Sequence, residues 1–220
     1  MIRRIAANVL MWVFLISTVC TAAVAQDDAL FLIVPDEAVP RAGLFAPGMT
    51  VDELRAAAGQ YPGATFDIQW LAPEYEQGVG GVSVTLQDSG GETMLEFLFA
   101  EGDFIVEKKL FVDDPKIVGV RVFDQRFETP CGLHAGMTLE QAAASGCSAG
   151  YFKALGSPAA PYAFFEQIPC VLLIPDTEVW TDTQADTVQQ LNQQYDAIIP
   201  LAEMPGAAPV SSIILACEDW

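Results

Sequence analysis

The chain has 220 residues, with 10 Lys and Arg against 29 Asp and Glu, a formal net charge of −19, and 52% hydrophobic residues. That apolar content excludes a disordered chain, and the charge disfavours nucleic acid and anionic membrane surfaces, both of which repel it. The length suits one large domain or two small ones with a true core.

The chain opens on Arg3 and Arg4, then an apolar run from Ile5 to Val19, then Ala23-Val24-Ala25 before Gln26-Asp27-Asp28. A short basic region, an apolar region and a small-x-small site in that order predict a cleavable secretory signal peptide over residues 1–25. The run is shorter than the roughly 20 residues a membrane span needs. Ser17-Thr18-Val19 before Cys20 is a poor lipoprotein signal, so Cys20 reads as part of the apolar stretch. Cleavage removes two Arg and no acid, leaving 195 residues with a net charge of −21. An acidic surface of that kind keeps an exported protein soluble. No later apolar run is long enough to cross a membrane, so no transmembrane segment is expected.

Past the leader, Leu30 to Val34 reads as a strand, and Gly43-Leu44-Phe45-Ala46-Pro47-Gly48-Met49-Thr50 follows it. Thr50 with Glu53 three residues on is a capping box, which predicts a helix from Val51 to Ala58 ending near Gly59. Alternating apolar residues predict strands over 65–70, 79–87, 92–99 and 104–112, with turns at Gly90-Gly91 and at Glu101-Gly102-Asp103. Lys116 to Phe123 reads as another strand, and then the turn returns: Gly132-Leu133-His134-Ala135-Gly136-Met137-Thr138. Thr138 and Gln141 make a second capping box before a helix over Leu139–Ala144 near Gly146. The two Thr lie 88 residues apart, and the second copy is one residue shorter before its Gly-Met-Thr. Such self-similarity predicts two like halves, a first α+β repeat over 26–115 and a second over 116–220. Strands are expected over 162–166, 171–174 and 211–217. The Gln-rich stretch 182–198 carries Val188, Leu191, Tyr195 and Ile198 at helical spacing, so it reads as an inserted helix or a loop. The fold class expected is α+β, each half a short helix packed on an antiparallel sheet.

The exported chain holds Cys131, Cys147, Cys170 and Cys217, an even number that reads as two disulfides, and all four lie in the second half. Four cysteines allow three connectivities. Chemistry is otherwise scarce: the sequence nominates no catalytic, cofactor-binding or metal-ligating residue. His134 is the single histidine and sits in a turn, where a packing role is expected. No Gly-x-Ser-x-Gly elbow, phosphate loop or dinucleotide fingerprint occurs. Asp113-Asp114 and Asp176 with Glu178 lack calcium-loop spacing. Trp70, Phe97, Phe99, Phe104, Phe111 and Trp180 read as core, and Trp220 as packing at the end of the final strand.

The Gly-Met-Thr turns, with Val120-Arg121-Val122-Phe123 leading into Phe127-Glu128-Thr129-Pro130-Cys131-Gly132-Leu133, resemble a group of exported bacterial envelope proteins. Most of that group are periplasmic proteins of unknown function. The pattern is also similar to the beta-lactamase inhibitor protein and to the small lipoprotein of the outer-membrane barrel-assembly machinery, although the lipoprotein cysteine of the latter is not matched. The resemblance implies short helices on an antiparallel sheet, protein–protein contact rather than chemistry, a periplasmic location and an envelope protein as partner. It also implies a bond between Cys147 and Cys170, leaving Cys131 with Cys217, while Cys131 with Cys147 stands as the alternative. The expected function is therefore a non-enzymatic protein-binding module. A hydrolase using a carboxylate pair, or a small-ligand or cation binder, stands beside it.

Overall fold

The structure, a computed structural model, describes residues 29–71, 81–100, 102–154, 161–206 and 208–216. The expected signal peptide, Cys20, Cys217 and Trp220 lie outside them.

Two helices follow the two Gly-Met-Thr turns: α1 (Val51–Ala58) and α2 (Leu139–Ala143). The Thr50 N–H donates to the Glu53 carboxylate at 2.9 Å, and the Glu53 N–H donates back to Thr50 Oγ1 at 3.3 Å. The Thr138 N–H and Gln141 Oε1 repeat the exchange at 2.7 Å, with the return bond at 3.2 Å. Both boxes therefore satisfy N–H groups that a helix start leaves open. Gly59 caps α1 in the right-handed conformation and Ala144 caps α2, so neither helix uses the left-handed glycine cap the sequence suggested. Replacing Thr50 or Thr138 by Ala should each lower stability by about 1 kcal/mol in chemical melts. Hydrogen bonds from Thr50 hold the Glu53 carboxyl below its ordinary range. Its contribution is present above its unfolded pKa and fades as pH falls through the folded value. The deficit of Glu53→Ala, which removes the acceptor of the Thr50 N–H, should accordingly shrink in acid, and a constant deficit would contradict the assignment.

Thirteen short strands follow in chain order among the described residues. Strands β1 (Ile33–Val34) and β2 (Arg41–Ala42) pair only with each other. The strand expected over residues 30–34 loses its start and is reduced to two residues: Leu30 is still helical, Phe31 is in a turn, and Leu32 makes only an isolated parallel bridge to Glu128. One sheet takes β3 (Thr65–Leu71), β4 (Gly81–Gln87), β5 (Thr93–Phe99), β8 (Ile117–Val122), β9 (Gly150–Lys153), β10 (Tyr162–Phe165), β11 (Val171–Pro175), β12 (Ile198–Pro200) and β13 (Val210–Ala216). Its order is β12-β9-β10-β11-β13-β8-β5-β4-β3, and every neighbouring pair is antiparallel. The strand expected over 104–112 is instead two two-residue strands, β6 (Phe104–Ile105) and β7 (Leu110–Phe111), around a 3₁₀ turn with Lys109 left-handed (φ 51°). Glu107, Lys108 and Lys109 offer no apolar alternation to continue a strand, and all three are exposed. Phe111 turns back onto Trp70 and Phe99, with ring centroids 5.2 and 5.3 Å apart.

The polar stretch after β11 is a helix, α3 (Asp182–Gln194), capped by Thr181. Val188 is buried, and Leu191 and Tyr195 pack on the core as the helical spacing implied. Ile198 does not continue that stripe. Asp196 and Ala197 are left-handed (φ 50° and 71°), the chain reverses, and Ile198 opens β12 with 47% of its surface exposed. Strands β9 and β12 were not legible in the sequence.

The register lines up one side of the sheet strand by strand. Phe66, Leu86, Leu95, Val122, Ile213, Leu173, Ala163, Phe152 and Ile199 face one another in a single row from β3 to β12. Every member is apolar, and all but the half-buried Phe66 are buried in the core. Leu54 and Ala58 of α1, Leu139 and Ala142 of α2, and Val188 of α3 belong to the same cluster. All three helices therefore pack on this one face.

Candidate functional site

The two Gly-Met-Thr turns are anchored alike. Gly48 N–H donates to Ile117 C=O and Ile117 N–H to Met49 C=O, at 2.7 and 3.0 Å; Gly136 and Met137 make the same exchange with Val210, at 2.8 and 2.7 Å. Each methionine sulfur accepts an N–H from three residues earlier, Ala46 at 3.2 Å and His134 at 3.4 Å. Counted back from the methionine, Phe45 corresponds to Leu133, and both are fully buried. His134 thus matches Ala46, and its Nδ1 lies 2.8 Å from Ala135 O, which fits the packing role expected of it.

Beneath the first turn, Phe45 stacks on Tyr61 at 5.3 Å and meets Phe97 at 5.0 Å. Tyr61 Oη donates to Leu30 C=O at 2.8 Å and accepts from Leu44 N–H at 3.3 Å. Burial pushes the Tyr61 phenol up to about 12. Because the raised value favours the neutral form, its contribution is full below the ordinary phenol range near 10 and is lost as pH rises towards 12. An ultraviolet titration should find one tyrosine that ionises only with alkaline unfolding, and that step should vanish in Tyr61→Phe. Ionisation of every tyrosine near 10 in the folded protein would contradict this.

A cleft of about 920 Å³ opens beside these rings, between Tyr61-Pro62, the β4–β5 turn and the loop after β8. Its charged lining is Asp88, Glu92, Asp124 and Arg126. Asp88 accepts the N–H groups of Gly90 and Glu92, at 2.7 and 3.0 Å, and shapes the turn. Asp124 accepts the Arg126 N–H at 2.9 Å and clasps its guanidinium, which lies 4.6 Å over the Phe31 ring. Two of the three carboxylates are thus committed to local structure, an arrangement unlike the acid–base pair a hydrolase needs.

The opposite side of the sheet carries the more distinctive surface. The register sets Asp67, Thr85, Glu96, Arg121, Ile214 and Leu172 side by side, and then Phe164, Tyr151 and Pro200, across all nine strands. Its first part is polar: Asp67 accepts from Gln69 at 2.8 Å, and Glu96 pairs with Arg121 at 3.3 Å. The rest is apolar and aromatic. Phe164 lies 5.7 Å from Tyr151 and 6.0 Å from Tyr162, all three half-buried. A hydrogen bond from Tyr151 to Glu166 raises the Tyr151 phenol above its usual range. Among the described residues no helix packs on this face.

No family model matches the chain, and no curated protein does. Among solved structures, the uncharacterized protein yfeY from Escherichia coli is similar over 77% of this chain and 90% of its own, at 12% identity and a TM-score of 0.40. That likeness is too distant to carry an argument about function.

The residues nominated from the sequence come together differently from the favoured expectation. Cys131 is bonded to Cys147, their Cα atoms 5.3 Å apart. The pairing implied by resemblance, Cys147 with Cys170, is therefore replaced by the alternative. The reason is local: α2 is only five residues long, so the chain leaving it at Cys147 comes straight back beside the turn holding Cys131. Removing the bond by Cys131→Ser with Cys147→Ser should cost about 3 kcal/mol, the value for a loop of this length, read from urea melts against wild type. Cys170 is buried just before β11, its C=O accepting the Ala216 N–H of β13 at 3.3 Å. Asp113 and Asp114 are left-handed turn residues (φ 45° and 54°), and Asp176 accepts the Glu178 N–H at 3.1 Å to cap a 3₁₀ turn. Among the described residues no group of three or more His, Cys, Asp and Glu side chains is placed to hold a metal ion, and no helix is long and apolar enough to cross a membrane.

Proposed function

We propose that this chain is an exported, periplasmic protein-binding module that docks a folded envelope protein on the open face of its sheet. The observation that carries this reading is the row of half-buried side chains Arg121, Leu172, Phe164 and Tyr151, with the buried Ile214 between the first two. It places an apolar and aromatic strip beside an ion pair, on a face free of helices among the described residues. Aromatic side chains with a polar border are the composition of protein interfaces rather than of solvated sheet faces. The signal-like leader and the Cys131–Cys147 bond support export to an oxidising compartment.

The partner is basic around the contact. A chain at −19, or −21 without its leader, attracts cationic surfaces and repels acidic ones over the Debye length. The plan of the molecule supports a duplicated origin. Each capped helix leads into a three-strand meander, β3-β4-β5 or β9-β10-β11, and each meander is closed by a strand bonded to its own Gly-Met-Thr turn, β8 or β13. Duplication doubles the width of the sheet and so of the docking face.

The test is capture of envelope proteins on the immobilised, oxidised mature chain, with an unfolded and reduced chain as control. One near-stoichiometric partner is expected on the folded form alone, with an association rate that falls as salt rises. Equal recovery on both forms, or a partner insensitive to salt, would sink the proposal.

A further inference from the structure

The two edges of the sheet are finished differently. At one edge, β12 has three residues, one of them Pro200, and its inward Ile199 is fully buried. A short strand carrying a proline is a blunted edge. At the other edge, β3 has seven residues, Thr65-Phe66-Asp67-Ile68-Gln69-Trp70-Leu71, with no Pro and no Lys. It pairs with β4 along its whole length and, among the described residues, with no strand on its outer side. Its inward Phe66, Ile68 and Trp70 are all half-buried, whereas the other members of the core row are buried. The backbone ladder and the core therefore both stop unfinished at β3.

We propose that β3 pairs antiparallel with β3 of a second copy of this chain, about a two-fold axis at Ile68. The strand fits itself in that register. Ile68 faces the second copy's Ile68, Phe66 faces the second copy's Trp70, and Asp67 faces the second copy's Gln69, the last two pairs occurring twice by symmetry. Opposed aromatic pairs stabilise an antiparallel ladder. Gln69 donates to Asp67 at 2.8 Å within one chain, so the amide and the carboxylate across the axis are matched groups. Only an axis at Ile68 opposes all seven residues, and an axis at Asp67 would set that carboxylate against itself, which destabilises a pair. Pairing the two edges makes one continuous sheet, covers the half-buried inward side chains and leaves the aromatic strips of both open faces free at the far ends.

Sedimentation of the oxidised mature chain over a range of concentrations tests this with no other protein present. The expected result is a reversible equilibrium between one and two chain masses. Added salt should favour the dimer, because it screens the repulsion between two strongly acidic chains, whereas it should slow association with a basic partner. Gln69→Glu, at an exposed position, opposes two pairs of like charges across the axis and should weaken the dimer roughly tenfold. Adding Asp67→Lys then opposes Lys and Glu and should restore association. A single chain mass at every concentration, or a dimer indifferent to Gln69→Glu, overturns the proposal, as does a folded double variant that stays weak. A chain that stays single while Gln69→Glu lowers partner capture also overturns it, since the edge then receives a strand of that partner. Circular dichroism checks the fold of each variant, and if the double variant does not fold, Gln69→Glu alone decides.

Discussion

Gly43→Ala should be the most damaging single substitution in the first turn, with a loss above about 4 kcal/mol or outright failure to fold. A Cβ on Gly43 would stand 2.1 Å from both the Leu30 carbonyl oxygen and Tyr61 Oη, far inside any real contact. Backbone cannot step aside there, because Leu30 and Tyr61 are already bonded to each other at 2.8 Å. The position also has φ +56°, which an L side chain rarely adopts. Gly132, in the second turn, gives the comparison. It too is left-handed (φ +88°), but its nearest atom is Glu128 Oε1 at 3.6 Å, the end of a flexible side chain. Gly132→Ala should lose only about 1–2 kcal/mol, the cost of backbone strain. Urea melts of the two variants check the contrast, and equal losses would mean that the clash under Gly43 does not matter.

Phe164→Glu should abolish partner capture while leaving the fold in place. Phe164 is half-buried on the open face, between the rings of Tyr151 and Tyr162. A charge there meets no partner group built to receive it, and loss of an aromatic anchor at the middle of an interface costs about 2–4 kcal/mol of binding. Affinity should therefore fall by about 30- to 1,000-fold. Asp186→Lys, on an exposed position of α3 and so on the far side of the sheet, should leave capture nearly unchanged. Equal retention of the partner by Phe164→Glu and wild type would move the contact off this face. A fall in Tm as large as that of a core variant would make the result uninformative about binding, so thermal melts accompany the measurement.

Local chemistry made much of this fold legible. Thr50 with Glu53 and Thr138 with Gln141 name their helices without tertiary help, and the alternation in Val82-Ser83-Val84-Thr85-Leu86 names both a strand and its inward side. Elements created by the assembled sheet were not legible. Gly150–Lys153 has too few residues to alternate, and it is a strand because β10 and β12 flank it. Ile198 fitted a helical stripe, but the left-handed pair Asp196 and Ala197 turns it into an edge strand. The cysteine pairing was hidden for a similar reason, since it depends on how soon α2 ends. The open face was the least visible of all. Leu172, Phe164 and Tyr151 are scattered through the second half, and only the register of four strands puts them in one row with Ile214. The methionines of the two turns carry a further signal in the sequence: a repeated Met three residues after an N–H that needs an acceptor.

Light-activated cross-linking in living cells tests the central claim most directly. A photo-reactive side chain is placed in turn at Phe164, Leu172 and Tyr151 on the open face, and at Glu107 and Asp186 as exposed positions elsewhere. The account predicts one adduct of a single size from the three face positions and none from the other two. Adducts from Glu107 or Asp186 with none from the face would contradict it.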